Sequence, residues 1–249
     1  MSIPSEEKII ISIDGNIGSG KSTFFEALKK NMKNRSDVAF LEEPVDKWND
    51  IRDENDVTIL ENYCKDQTKY GFSFQIMACV TRMKILMKAL NDPKIKFIIS
   101  ERSLVTDKNV FAKMLYDSGN ISKINYDIYK VFYYTHAELI KNIVLVYIRT
   151  DPNICMERIA KRNRKGEDAI SLGYLEMCNN YHEKWILNKK VNHKMIIDGN
   201  KDHRENPKQI DKWIDSFNNF MNFYEHNFMK KTNDYLLNQK NPIKNVVYL

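Results

Sequence analysis

The stretch Gly15-Asn-Ile-Gly-Ser-Gly-Lys-Ser22 constrains this chain more than any other, because it fits G-x-x-x-x-G-K-[ST] at every fixed position. Ile9, Ile10, Ile11 and Ile13 precede it as a β-branched run typical of a central parallel strand. Phe24, Phe25, Leu28 and Met32 follow it as an amphipathic segment. Strand, glycine-rich turn and helix in that order make a phosphate cradle. The glycines let successive N–H groups turn inward, and the helix adds the partial positive charge of its N-terminus. Lys21 offers a point charge to β- and γ-phosphates, and the Ser22 hydroxyl can ligate Mg²⁺. Only eight glycines occur in the chain, and three of them sit here. The stretch predicts a nucleoside triphosphate site formed by Gly15, Asn16, Ile17, Gly18, Ser19, Gly20, Lys21, Ser22 and Thr23.

Length and composition narrow the class. A chain of 249 residues with 43% hydrophobic and 11% aromatic residues can bury a sizeable core. No run approaches the roughly 18 apolar residues of a membrane span, and the N-terminus lacks the apolar centre of a signal peptide. Cys64, Cys79, Cys155 and Cys178 contain no C-x-x-C pair, and the five histidines show no metal-ligand spacing. Both point to a reduced, cytoplasmic protein without a zinc or disulfide framework. The net charge of +6 suits a polyphosphate-binding enzyme and demands neither nucleic acid nor membrane as a partner.

Read in order, the chain alternates apolar strands with helical periodicity. Strands are expected at 9–13, 37–41, 95–100, 142–148 and 194–198, with helices between them. That alternation predicts a three-layer α/β/α domain of the phosphate-loop NTPase type, with a five-stranded parallel sheet and a lid. One domain is expected over 1–249, with the phosphate loop at 15–23, the lid at about 158–168 and an extension at about 227–249. Glu43 falls just beyond the second strand, where Pro44 keeps it extended and where open α/β sheets bind ligands. Gln75, Ala78 or Cys79, and Arg82 share a face of the helix expected over 70–90, an odd stripe for a core but suited to a flat polar ring. Glu101-Arg102-Ser103 ends the third strand, with Asp107 and Phe111 one and two turns into the next helix. Arg158, Lys161, Arg162 and Lys165 fall on one side of a later helix, and Arg164 belongs to the same run, a candidate lid that closes over phosphates and excludes water.

Over residues 8 to 225 the chain resembles the deoxyribonucleoside kinases, the group of deoxycytidine and deoxyguanosine kinases. The marks are Gly15–Thr23, Glu43-Pro-Val-Asp-Lys-Trp48, Phe74-Gln75, Ala78-Cys-Val-Thr-Arg82, Glu101-Arg102-Ser103 with Asp107 and Phe111, the arginine-rich run ending in Glu167, and Tyr174-Leu175-Glu176. The resemblance implies that Glu43 takes the proton of the nucleoside 5′-hydroxyl, that Arg102 aligns it with the γ-phosphate of ATP, and that Glu101 holds Mg²⁺ with Ser22. It implies that Gln75 pairs with the nucleobase, that Trp48 and Phe111 wall it, and that Glu167 and a tyrosine near residue 63 receive the sugar 3′-hydroxyl. In ungapped register that tyrosine falls on Cys64, with Tyr63 one residue away. Arg158, Arg162 and Arg164 match the family's lid. Arg82 with Asp107 implies deoxycytidine or a purine deoxynucleoside over thymidine, and the family implies a homodimer built on helices such as 70–90 and 126–140. The competing reading is a nucleoside monophosphate kinase of the thymidylate kinase kind, which shares the phosphate loop but not the Glu43-Pro44 or Glu101-Arg102-Ser103 elements.

Overall fold

The computed structural model describes residues 8–140, 143–164, 166–188, 191, 193–201, 208–235 and 245–248, with the backbone alone at 138–139, 227–235 and 245–248. The expected lead-in at 1–7, Lys165 of the basic run and parts of the C-terminal extension lie outside them.

The five expected strands are present and all parallel: β1 (Ile9–Gly15), β2 (Val38–Leu41), β3 (Phe97–Glu101), β4 (Ile143–Arg149) and β5 (His193–Asp198). Their order is β2-β3-β1-β4-β5. A short edge strand, β6 (Asn245–Tyr248), pairs in parallel with β5 and extends the sheet inside the segment with no expected place in it. β1 is buried at all seven positions, as its isoleucine-rich run, interrupted by Ser12, suits a strand covered on both faces. On one face, α1 (Lys21–Asn31) and α10 (Lys208–Tyr235) pack Phe24, Phe25, Leu28, Trp213 and Phe217 against β1, β3 and β4. On the other, α4 (Gln67–Asn91) and α7 (Lys123–Thr135) bury Phe74, Cys79, Leu86 and Tyr129.

β1 pairs with β3 on one side and β4 on the other, so the connections leave it in opposite directions. That switch point opens a crevice at the carboxyl ends of the strands. Four local devices aim side chains into it. Pro44 stands at the start of the short helix α2 (Val45–Asn49), three residues after β2 ends. Thr58 and Glu61 form a capping box that sets α3 (Ile59–Lys65). Ser103 and Thr106 cap α5 (Leu104–Thr106), which continues as a π-helical segment Asp107–Ala112 into α6 (Lys113–Asp117). Asp151 caps α8 (Pro152–Arg162), with Pro152 at its first turn and Asn163 ending it in the left-handed region. The long helix expected to reach residue 140 instead stops at Thr135, and a 3₁₀ turn covers Ala137–Ile140.

Candidate active site

The phosphate loop turns from β1 into α1 along a path that side chains at two positions would block. Gly15 and Gly18 have φ of +150° and +76°, and a Cβ there would stand 2.6 Å from the Ile148 carbonyl oxygen or 2.5 Å from that of Cys155. Asn16 pins the loop to α9 (Leu172–Ile186) by donating from Nδ2 to the Leu175 carbonyl at 2.8 Å. No side chain caps the first turn of α1, which leaves its N–H groups facing the crevice for an anion. Lys21 Nζ donates to the Asn16 carbonyl at 2.6 Å. Burial and the neighbouring Arg102 lower its pKa to about 7. Ser22 Oγ donates to Glu101 Oε1 at 2.7 Å, which brings two expected oxygen ligands together. A hydroxyl and one carboxylate fit Mg²⁺, which keeps several waters and takes substrate phosphate oxygens rather than an all-protein cage.

Opposite the loop, Glu43 Oε1 accepts from a terminal nitrogen of Arg82, and Arg102 Nε stands 3.5 Å away. Burial pushes the Glu43 carboxyl up, but the charges of Arg82, Arg102 and Lys21 outweigh it and hold the group below the usual carboxylate range. Arg82 also donates to the Glu101 carbonyl at 2.9 Å. Its Nε approaches Asp107 Oδ2 at 3.1 Å as an ion pair without the alignment of a hydrogen bond. Burial lifts the Asp107 carboxyl to about 6 against the pull of Arg82. Each guanidinium lies over an aromatic ring, Arg82 at 5.5 Å from the Trp48 centroid and Arg102 at 4.8 Å from that of Phe111. Arg102 itself sits at φ +63°, held by its N–H to the Ile13 carbonyl at 3.0 Å and its guanidinium to the Gly15 carbonyl at 2.9 Å.

Gln75, Ala78 and Arg82 line the same cleft, as their spacing on α4 predicts. Gln75 Oε1 is buried without a hydrogen-bond partner among the described residues, which is costly for an amide oxygen unless a ligand supplies a donor. Phe74 stacks on Tyr63 with centroids 4.3 Å apart and meets Trp48 edge-on. Glu167 accepts from Arg162 at 2.7 Å, with Arg164 3.5 Å away. Together these residues enclose about 1000 Å³ of empty space, part of it open to solvent.

Of the residues expected at the site, Ile17, Gly18, Lys21, Ser22, Glu43, Trp48, Tyr63, Gln75, Ala78, Arg82, Glu101, Arg102, Asp107, Phe111, Arg162, Arg164 and Glu167 line this cleft. Gly15, Asn16, Ser19 and Gly20 shape the loop behind it, Thr23 stands exposed in the first turn of α1, and Arg158 donates to the Ser19 carbonyl at 3.3 Å. Tyr63 and Cys64 both reach the wall. Tyr174 does too, with its hydroxyl 3.0 Å from that of Tyr63. The sequence gives Tyr174 no role of its own, and its place in the first turn of α9, just behind the lid, is the one signal that points to it.

A phosphate loop, an uncapped helix start and a carboxylate clamped between two guanidiniums, all at a parallel-sheet switch point, define a nucleotide-dependent phosphotransferase. Residues 11–222 match the deoxynucleoside kinase family. The chain is 30% identical to deoxycytidine kinase 2 of Gallus gallus over 85% of its own length and 89% of that protein. It is also 30% identical to mitochondrial deoxyguanosine kinase of Xenopus laevis, over 72% of this chain and 73% of that one. Likeness to human mitochondrial thymidine kinase 2 is again 30%, over 73% and 66%. The chain belongs to the deoxynucleoside kinase family. It is an enzyme that phosphorylates deoxynucleosides with ATP as donor, and the monophosphate kinase alternative is not favoured.

Proposed function

We propose that the enzyme transfers the γ-phosphate of ATP to the 5′-hydroxyl of deoxycytidine or a purine deoxynucleoside in nucleotide salvage, as one domain spanning the chain. The observation that carries this reading is Glu43, kept ionised by Arg82 and Arg102 on the cleft wall facing Lys21. An ionised carboxylate there can accept the hydroxyl proton as the oxygen–phosphorus bond forms. Arg102, anchored to both Ile13 and Gly15, aligns that oxygen with the phosphate loop. Lys21 and the lid residues Arg158, Arg162 and Arg164 neutralise the transferring group. Ser22 and Glu101 would hold Mg²⁺, which would offset the negative charge of the donor phosphates.

Overall likeness does not choose the base, since relatives of three printed specificities stand at the same 30% identity. The choice rests on Arg82 and Asp107, buried together beside Gln75. A base that cannot bond to this pair leaves Arg82 Nε and Asp107 Oδ2 without hydrogen bonds, a larger penalty than one misplaced methyl. Gln75 takes the base edge, Trp48, Ala78 and Phe111 its faces and rim, and Tyr63 and Glu167 the sugar. Four free cysteines support a reducing, cytoplasmic setting.

Exposed apolar side chains on α4 and α7 support a homodimer. Ile124, Ile128, Val131 and Tyr134 on α7, with Val80 and Met87 on α4, are large apolar side chains left exposed on neighbouring helices.

The test is turnover with ATP and Mg²⁺ on each of the four deoxynucleosides, using Glu43→Gln as control. Deoxycytidine or a purine deoxynucleoside is expected to lead, and the substitution to lower kcat by about 10²- to 10⁴-fold. Preference for thymidine would overturn the base assignment, and full activity in Glu43→Gln would overturn its role as base.

A further inference from the structure

The turn that carries Arg102 and Asp107 is fastened to three successive residues of β1. The Arg102 N–H donates to the Ile13 carbonyl at 3.0 Å, and the Arg102 guanidinium donates to the Gly15 carbonyl at 2.9 Å. Between them, the Asp14 carboxylate accepts from the Thr106 hydroxyl. Asp14 and Thr106 are both fully buried. Asp14 adjoins the first residue of the phosphate loop, and Thr106 adjoins Asp107.

The Thr106 hydroxyl has one proton, and Asp14 takes it. The same oxygen must therefore accept from the Ser103 N–H at 3.3 Å and from the Ser103 hydroxyl at 3.1 Å. Thr106 N–H in turn donates to Ser103 Oγ at 3.3 Å. This capping box alone would stabilise α5 without any carboxylate. Asp14 adds a tether from that box to the donor-side strand, even though its second oxygen has no partner among the described residues. A fully buried carboxylate costs more to desolvate than a neutral residue, even with the charges of Arg102 and Lys21 nearby. A neutral or apolar residue would suit a purely structural position in β1 better.

We propose that Asp14 and Thr106 are positioning residues for the acceptor: through their bond the start of the phosphate loop fixes where Asp107 meets Arg82. This deepens the deoxynucleoside reading above and rests on it. Neither residue lines the cleft, so their effect on the acceptor is indirect, and Asp107, next to Thr106 in the chain, is the cleft residue that carries it in this proposal.

The test is a double-mutant cycle of Asp14→Ala and Thr106→Val, with Thr106→Ser as the conservative variant. Deoxynucleoside affinity is read from quenching of intrinsic tryptophan fluorescence, Trp48 lying in the cleft, alongside KM for each substrate and thermal unfolding. Each single change is expected to weaken deoxynucleoside binding by at least about tenfold while KM for ATP stays within about twofold. The double variant is expected to be no weaker than either single one, since both remove the same bond. Thr106→Ser, which keeps the hydroxyl, is expected to restore parental binding. Additive losses, or a lower unfolding temperature with unchanged nucleoside affinity, would overturn the proposal. If Asp14→Ala does not fold, Thr106→Val against Thr106→Ser decides it alone. An unmodified enzyme that binds no deoxynucleoside would instead strike down the reading beneath it.

Discussion

Among single residues, Lys21 has the most revealing titration. Its ordinary pKa of 10.5 is lowered to about 7 by burial and by Arg102, which puts the amine at the edge of losing its charge. Between those two values the unfolded chain binds more protons than the folded one, so this group makes stability rise with pH across that window and fall as pH drops toward 7. Donor phosphates reverse the balance, because a nearby anion favours the ammonium. ATP binding at pH 8 is therefore expected to take up close to one proton. Calorimetry in two buffers of different ionisation enthalpy measures this directly, and a buffer-independent heat would show that Lys21 is already charged in the free enzyme. Asp107 has the opposite sign. Its carboxyl, raised to about 6, costs the fold stability as pH climbs from 3.8 through 6 and is fully paired with Arg82 only above that range.

At the scale of elements, the phosphate loop depends on α8 as much as on its own glycines. The Cβ of an alanine at position 18 would meet the Cys155 carbonyl oxygen, which is backbone of α8 and cannot swing away. Gly18→Ala is expected to cost about 1–3 kcal/mol through strain at φ > 0 alone. The added clash with α8 would misplace the loop, so the rise in unfolding temperature that ATP confers on the parent should vanish. What could be read from the sequence divides along the same line. Gly15 to Ser22 declare themselves by local spacing, and Gln75, Ala78 and Arg82 by helical period, because each depends on one element only. Glu43 and Glu101 were legible because a strand's carboxyl end is where an α/β sheet binds. The π-helical turn at Asp107–Ala112 is not, since its i→i+5 bonding leaves no mark in residue order. The Tyr63–Tyr174 contact joins residues 111 positions apart, a pairing that periodicity cannot carry.

At the scale of the whole molecule, the exposed apolar side chains of α4 and α7 set the expected assembly. Val131 is 69% exposed, and Ile124 is 73% exposed. Val131→Glu should convert a dimer into a monomer of 29.5 kDa in sedimentation velocity, and an unchanged mass would send the search for a partner elsewhere. None of the described helices is long and apolar enough to cross a membrane. The last consequence concerns Glu167, which lines the cleft while holding Arg162 and Arg164, and to which the proposed function gives the sugar hydroxyl. Two guanidiniums suited to the donor are thus occupied by a group suited to the acceptor. A nucleoside hydroxyl that engages Glu167 loosens those guanidiniums, so each substrate should raise the enzyme's affinity for the other by one common factor. The enzyme would then behave as a heterotropic device, in which ATP is gripped most firmly when there is something to phosphorylate and is spared idle hydrolysis when there is not.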